Sequence, residues 1–188
     1  FETWKSQLLP KMVTTGVSAS SSSRILGSLS TGFFAWRVLP KAVTRACRRF
    51  IRRLADDKKL PVLAFTDGDP YGYCNIYRTL KVGSGQAAHI NRFFCVPQAQ
   101  YLGVTPQDIV DYKLEDATHP LEDVDVKRAK DALKNDPFIR HHKEWQQALN
   151  RMLEMKVRIE QQAFAKHGLN YVLEQYLPDK LKRRTFLP

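Results

Sequence analysis

Two aspartates two positions apart, Asp67 and Asp69 in the run Pro61 to Gly72 (PVLAFTDGDPYG), are the residues of this chain best suited to chemistry. Carboxylates this close can share a hard divalent cation, most naturally Mg²⁺, which takes oxygen ligands and keeps several waters. The same letters are also turn chemistry. Asp can cap a following helix, Gly68 relieves the backbone and Pro70 suits a first helical turn. Spacing alone leaves a metal site and a capped loop both open, because a two-residue acidic pattern is a weak signal.

The elements around the pair decide where it would sit. Val62, Leu63, Ala64 and Phe65 form a short apolar run, the pattern of a strand buried on both faces of a parallel sheet. Open α/β sheets bind ligands beyond the carboxyl ends of their strands, which is where the aspartates fall. Before them, Pro40 opens an amphipathic helix running to about Asp57. Val43, Ala46, Cys47, Phe50, Ile51 and Leu54 form its expected apolar face, and Arg45, Arg48, Arg49, Arg52 and Arg53 the other. Five arginines on one side can face phosphate or simply be solvated, and the helix alone does not choose.

After the acidic loop, Gly72 to Lys81 reads as a helix broken at Val82 to Gly85, and Phe93 to Val96 as a second buried strand ended by Pro97. Thr105, Pro106 and Asp108 spell the start of a capped helix. Asp123 to Leu133 and Lys143 to His167 are expected helices, with Trp145, Leu149, Met152, Ile159 and Ala163 in the core and Gly168 as the stop. Nearer the start, Trp4 to Leu9 reads as a helix end and Met12 to Thr15 as a short strand. Val17 to Arg37 is serine-rich and reads as a loop or linker.

A length of 188 residues fits one domain. The formal charge of +11, from 30 Lys and Arg against 19 Asp and Glu, favours a polyanionic partner, of which nucleic acid is the commonest. Cys47, Cys74 and Cys95 are odd in number and widely spaced, so neither a disulfide framework nor a zinc site is indicated, in keeping with a reducing compartment. No apolar run approaches the roughly twenty residues of a membrane span. The histidines show no metal-binding spacing, and no Ser or Cys nucleophile motif is present. The chain starts at Phe1 rather than Met and reads as a fragment.

Taken together, VTRACRRFIRRL, LPVLAFTDGDPYG, KVGS at Lys81 to Ser84, CVPQAQYLGVTPQDI at Cys95 to Ile109, RIEQQAFAKHG at Arg158 to Gly168 and YLPDKL at Tyr176 to Leu181 resemble the A subunit of archaeal-type DNA topoisomerase VI and its meiotic double-strand-break relatives. The pieces keep the family's order and cover Val38 to Leu181. The resemblance implies an α/β fold, the toprim domain: a Rossmann-like, mainly parallel sheet flanked by helices, with a helical C-terminal region. It implies that Asp67 and Asp69 bind Mg²⁺ beside the scissile phosphate. The family's third acidic ligand, a glutamate, is expected just upstream of Phe1, and its nucleophilic tyrosine in a winged-helix domain further upstream, so no catalytic residue is assigned within this chain.

The implied activity is that of a type IIB DNA topoisomerase. Tyrosine would attack double-stranded DNA in a homodimer, and an ATP-hydrolysing B subunit would drive strand passage, so ATP enters only through the partner. A role in meiotic double-strand breaks is the close alternative, and a non-catalytic DNA-binding or assembly module a further one. A haloacid-dehalogenase-type phosphatase also places Asp-x-Asp after a strand, but Tyr71 stands where its usual Thr would be. The expected location is nuclear or chromosomal in a eukaryote and cytoplasmic or nucleoid in an archaeon, without a membrane. In the family the strand matching Met12 to Gly16 runs almost directly into the Leu39 to Arg45 segment. Residues 17–37 are therefore read as an insertion within the domain, a retained intron or gene-model error, with a natural loop as the alternative.

Overall fold

The apolar run before the aspartates does form a strand. In the computed structural model of the chain, which describes residues 44–188 within the unit Val43–Pro188, β1 (Leu63–Phe65) pairs in parallel with β2 (Gln100–Gly103). Leu63 lies opposite Gln100 and Ala64 opposite Tyr101. The register then shifts so that Phe65 meets Gly103. Thr66 N donates to Gly103 O and Val104 N to Thr66 O, both at 2.9 Å, carrying the pairing up to the acidic turn. On the far side of β2, Tyr101 and Leu187 exchange both backbone bonds at 2.9 Å. The expected helix end at Trp4 to Leu9, the strand at Met12 to Thr15 and the serine-rich segment 17–37 lie outside the described residues.

A second, antiparallel pair joins β3 (Thr118–Pro120) to β4 (Val157–Ile159). The two pairs meet at Gly68, whose N donates to Ile159 O at 2.8 Å and whose O accepts from Ile159 N at 3.2 Å. β4 therefore runs directly beside the acidic turn.

The helices follow the expected local chemistry in most places. α1 (Arg45–Asp57) starts at Thr44, whose Oγ1 accepts from Cys47 N. Gly72–Tyr77 forms a wide π-type turn that continues into α2 (Arg78–Lys81), and α3 spans Ala88–Phe94. α4 (Pro106–Asp111) opens with the capping box that Thr105, Pro106 and Asp108 foretold. α5 (Asp123–Asn135), α6 (Pro137–His141) and α7 (Lys143–Met155) follow, then a 3₁₀ segment Gln161–His167 and α8 (Leu177–Arg183).

Three expectations change. Phe93 to Val96 is not a strand: Phe93 and Phe94 end α3, and the buried strand begins after the Pro97–Gln98 turn. The helix expected from Lys143 to His167 stops at Met155, because Lys156 turns left-handed (φ 54°) and the β-branched Val157 and Ile159 form β4. On α1 the buried stripe is turned from the expected face: Arg48 and Ala55 are buried, whereas Ala46 and Phe50 are exposed.

One core gathers Tyr73, Tyr77, Tyr101 and Trp145, each fully enclosed, with neighbouring ring centroids 5.2–5.3 Å apart. Their hydroxyls are satisfied, Tyr73 donating to Val104 O at 2.7 Å and Tyr77 to Ala99 O at 3.0 Å, as buried aromatics with a polar handle require. A second core under the β3–β4 pair holds Leu102, Val104, Ile109, Leu114, Ile159, Phe164 and Tyr176. Beneath it Lys180 Nζ lies 3.0 Å from Asp108 Oδ1, both buried, and Tyr176 OH donates to Asp108 Oδ2 at 2.9 Å. No helix of the described residues is long and apolar enough to cross a membrane.

Candidate metal site and basic surface

The acidic turn is held by main chain more than by side chains. Asp67 Oδ1 accepts from Gln161 N at 2.8 Å, and Gln161 Nε2 donates to Phe65 O at 2.8 Å. One residue thus fastens both the end of β1 and the first aspartate. Asp69 Oδ1 accepts from Gly72 N at 2.5 Å. Two glycines make this path possible: a Cβ on Gly68 would lie 2.6 Å from Ile159 Cγ2 and 2.7 Å from Val104 O, and one on Gly72 only 2.4 Å from Asp67 O.

Both aspartates are half-buried, which has an electrostatic cost. Burial pushes the Asp69 carboxyl up to about 6. The Gly72 N–H works against that shift, while the negative charges of Asp67 and Asp125 add to it and Arg158 opposes it. Asp125 is buried and accepts from Arg128 Nη1 and Arg158 Nη1, each at 3.2 Å, while Arg158 Nη2 reaches Glu122 at 2.7 Å. An ionic cluster from α5 and β4 therefore flanks the pair.

These residues suit a hard cation. Each aspartate engages Oδ1 with a backbone N–H, so the carboxylates are oriented and Oδ2 remains on each as an oxygen ligand. Burial first, and the charges of Asp67 and Asp125 after it, raise Asp69, and a shared divalent cation would offset both. Among the described residues no group of three or more His, Cys, Asp or Glu could hold a metal. Asp67 and Asp69 are a donor set of the kind that suits Mg²⁺ with water in its remaining positions.

The five arginines of α1 do not act alike. Arg45 and Arg49 are exposed. Arg53 is exposed and lies 3.7 Å from Asp57. Arg52 is paired with Asp56 and donates from Nη1 to Cys95 O at 2.6 Å. Arg48, expected on the polar face, is 6% exposed, donates from Nη1 to Thr79 O at 3.2 Å and lies 5.8 Å from the centre of the Phe94 ring. Its guanidinium ties α1 to α2 and α3. Sequence reasoning missed Gln161, Asp125 and Arg158. The RIEQQ run contains two of them, but nothing in its spacing ties Gln161 to an aspartate 94 positions earlier.

Residues 42–181 match the family model for the toprim domain of the topoisomerase 6 A-subunit/Spo11 proteins. Over 145 residues the chain is 61% identical to the A subunit of type 2 DNA topoisomerase 6 from Methanocaldococcus jannaschii, covering 77% of this chain and 39% of that protein. It is 41% identical over 143 residues to the protein of the same name from Haloarcula marismortui (76% and 38%). With that from Pyrococcus abyssi it shares 40% over 155 residues (77% and 40%). The chain thus spans about two fifths of the length of these relatives. A parallel β1–β2 pair ending in a tethered Asp-Gly-Asp turn, with helices packed around it, is an α/β arrangement in keeping with that match, and the chain belongs to the toprim family of the topoisomerase 6 A-subunit/Spo11 proteins.

Proposed function

We propose that this chain is the Mg²⁺-binding toprim part of a type IIB DNA topoisomerase A subunit. In this reading it binds double-stranded DNA as a homodimer and works with an ATP-hydrolysing B subunit. The observation that carries the proposal is the orientation of Asp67 and Asp69 by the Gln161 and Gly72 N–H groups beyond the end of β1, with Asp69 raised to about 6. When bound, the cation would supply Lewis-acid stabilisation of charge on a phosphodiester and a template for its orientation. The chain's own residues hold the two carboxylates in register, and Asp125, Arg128 and Arg158 set the field around them. Arg45, Arg49 and Arg53 are the α1 residues available to contact DNA phosphates, with Arg52 at the border and Arg48 in a structural role.

With Asp67 and Asp69 as its two assigned carboxylates, the site is expected to hold the cation weakly. Mn²⁺ titration followed by electron paramagnetic resonance tests the site: binding lost in both Asp67→Ala and Asp69→Asn supports it, and binding unchanged in both overturns it. The names of the relatives favour strand passage over meiotic break formation. Residues 17–37 are proposed as an insertion in the domain. Transcript reads joining Gly16 to the Leu39 region would mark it as an intron, and abundant continuous reads as part of the protein.

A further inference from the structure

At the other end of β2 from the acidic turn lies a cavity of about 450 Å³. Among the described residues that line it are Arg52, Lys81, Arg92 and His142, and no carboxylate. Asp56 is nearby but engaged by Arg52 and Gln98. The cationic groups are placed rather than loose. Lys81 Nζ donates to Ala99 O at 2.6 Å, Arg52 Nη1 donates to Cys95 O, and His142 Nδ1 is bonded to Phe138 O at 2.7 Å, leaving Nε2 for another partner. Burial lowers the Lys81 ammonium from its ordinary value.

The rim adds an aromatic surface. Arg92 lies 4.6 Å from the centre of the Phe93 ring, and Phe93 is half exposed. Cations beside an accessible aromatic face are what holds a nucleic-acid strand, phosphate on the cations and base on the ring. A pocket for an acidic peptide would not need the ring. The cavity adjoins Cys95 and Pro97, before β2, whereas the aspartates follow the far end of its partner β1. The strand separates the two sites by roughly 10 Å or more.

We propose that this cavity and Phe93 form a second nucleic-acid contact, with a backbone phosphate between Lys81 and Arg92 and a base against Phe93, separate from the acidic pair; Arg52, held by Asp56, borders it. This rests on the reading that the chain binds DNA. The test uses the full 188-residue chain and a fluorescein-labelled oligothymidylate in EDTA, with Arg92→Gln and Phe93→Ala, neither of which touches the acidic turn. Each variant should weaken binding about five-fold or more. Arg92→Gln should also reduce the slope of log affinity against log salt by about 0.7. Asp67→Ala should bind the strand as the wild type does.

Wild-type protein that binds the strand no better than Arg92→Gln overturns the cavity while leaving DNA binding intact. Wild-type protein that binds neither strand nor duplex overturns both readings. Loss in Arg92→Gln without loss in Phe93→Ala, together with displacement by polyglutamate, gives the cavity to an acidic protein segment and overturns the proposal.

Discussion

Gln161 N donates to Asp67 Oδ1 at 2.8 Å, a bond that closes across 94 residues and fixes the first aspartate from outside its own loop. Glu160 is extended (φ −97°, ψ 154°) and Gln161 opens a 3₁₀ segment, so the backbone there suits proline, while the ring Cδ would take the place of the N–H and push the Asp67 carboxylate away. Gln161→Ala removes only the amide bond to Phe65 O, whereas Gln161→Pro also deletes the N–H. Urea unfolding at pH 7 should show Gln161→Pro less stable than Gln161→Ala by at least about 1.5–3 kcal/mol, the worth of a hydrogen bond to a charge, with the displacement of the carboxylate by the ring added to it. The difference should disappear in an Asp67→Ala background; its persistence would assign the loss to the backbone instead.

Asp69 gives a pH signature. Its carboxyl is raised from 3.8 to about 6 by burial first of all, so the folded state binds this proton more tightly than the unfolded chain. The associated stability is present below about pH 4 and is lost as pH rises through about 6. Asp69→Asn keeps the acceptor for Gly72 N and cannot ionise. Without metal it should be more stable than the wild type at pH 8, by on the order of 2–3 kcal/mol, and little different at pH 4. Thermal melts at the two pH values check this, and an equal gain at both would refute it. Mn²⁺ affinity of the wild type should fall as pH drops below about 6, where the proton competes.

Gly68 lies where two chain segments touch. Gly68→Ala places a methyl 2.7 Å from Val104 O and 2.6 Å from Ile159 Cγ2, so β4 must move away from the turn. A loss of about 1–3 kcal/mol in stability is expected, with Mn²⁺ binding weakened alongside. Hydrogen exchange at the Ile159 amide, which bonds to Gly68 O, should accelerate more than exchange in α7.

The Lys180–Asp108 pair is a strut with no solvent to rescue it. Lys180→Met strands a buried carboxylate and should cost about 3–5 kcal/mol. Lys180→Met with Asp108→Asn should recover much of that, since the cost comes from uncompensated charge. A double variant no better than the single one would point to lost packing as the cause.

The α1 arginines separate into two kinds. Arg45→Ala with Arg49→Ala should flatten the salt dependence of duplex binding by nearly two units at unchanged stability. Arg48→Ala should destabilise the protein and leave the salt slope alone, because that guanidinium is buried against Thr79 O and the Phe94 ring. Salt titrations and melts of the three proteins check both statements.

Local chemistry was legible wherever one stretch carried the whole signal. The apolar run before Asp67 became β1, and Thr105, Pro106 and Asp108 became a capping box. What failed was decided at a distance. Arg48 fits a polar helix face by periodicity, yet it is buried where the carbonyl of Thr79 takes its Nη1 and Nε has no partner among the described residues. Lys143 to His167 has helical propensity throughout, but the partners offered by β3 and Gly68 draw Val157–Ile159 into a strand. The aspartates were singled out by their own spacing and by family resemblance. The backbone donor that aims Asp67 was not, because a main-chain N–H leaves no mark on residue type.

The Tyr101–Leu187 exchange bears on how this molecule meets others. An open strand rim invites another chain to add itself by backbone bonding, and along β2 at Tyr101 that invitation is withdrawn, because Leu187 already occupies the rim. A partner meeting β2 at that point would have to be held by side chains, which would make the contact selective for the partner's sequence and sensitive to single substitutions.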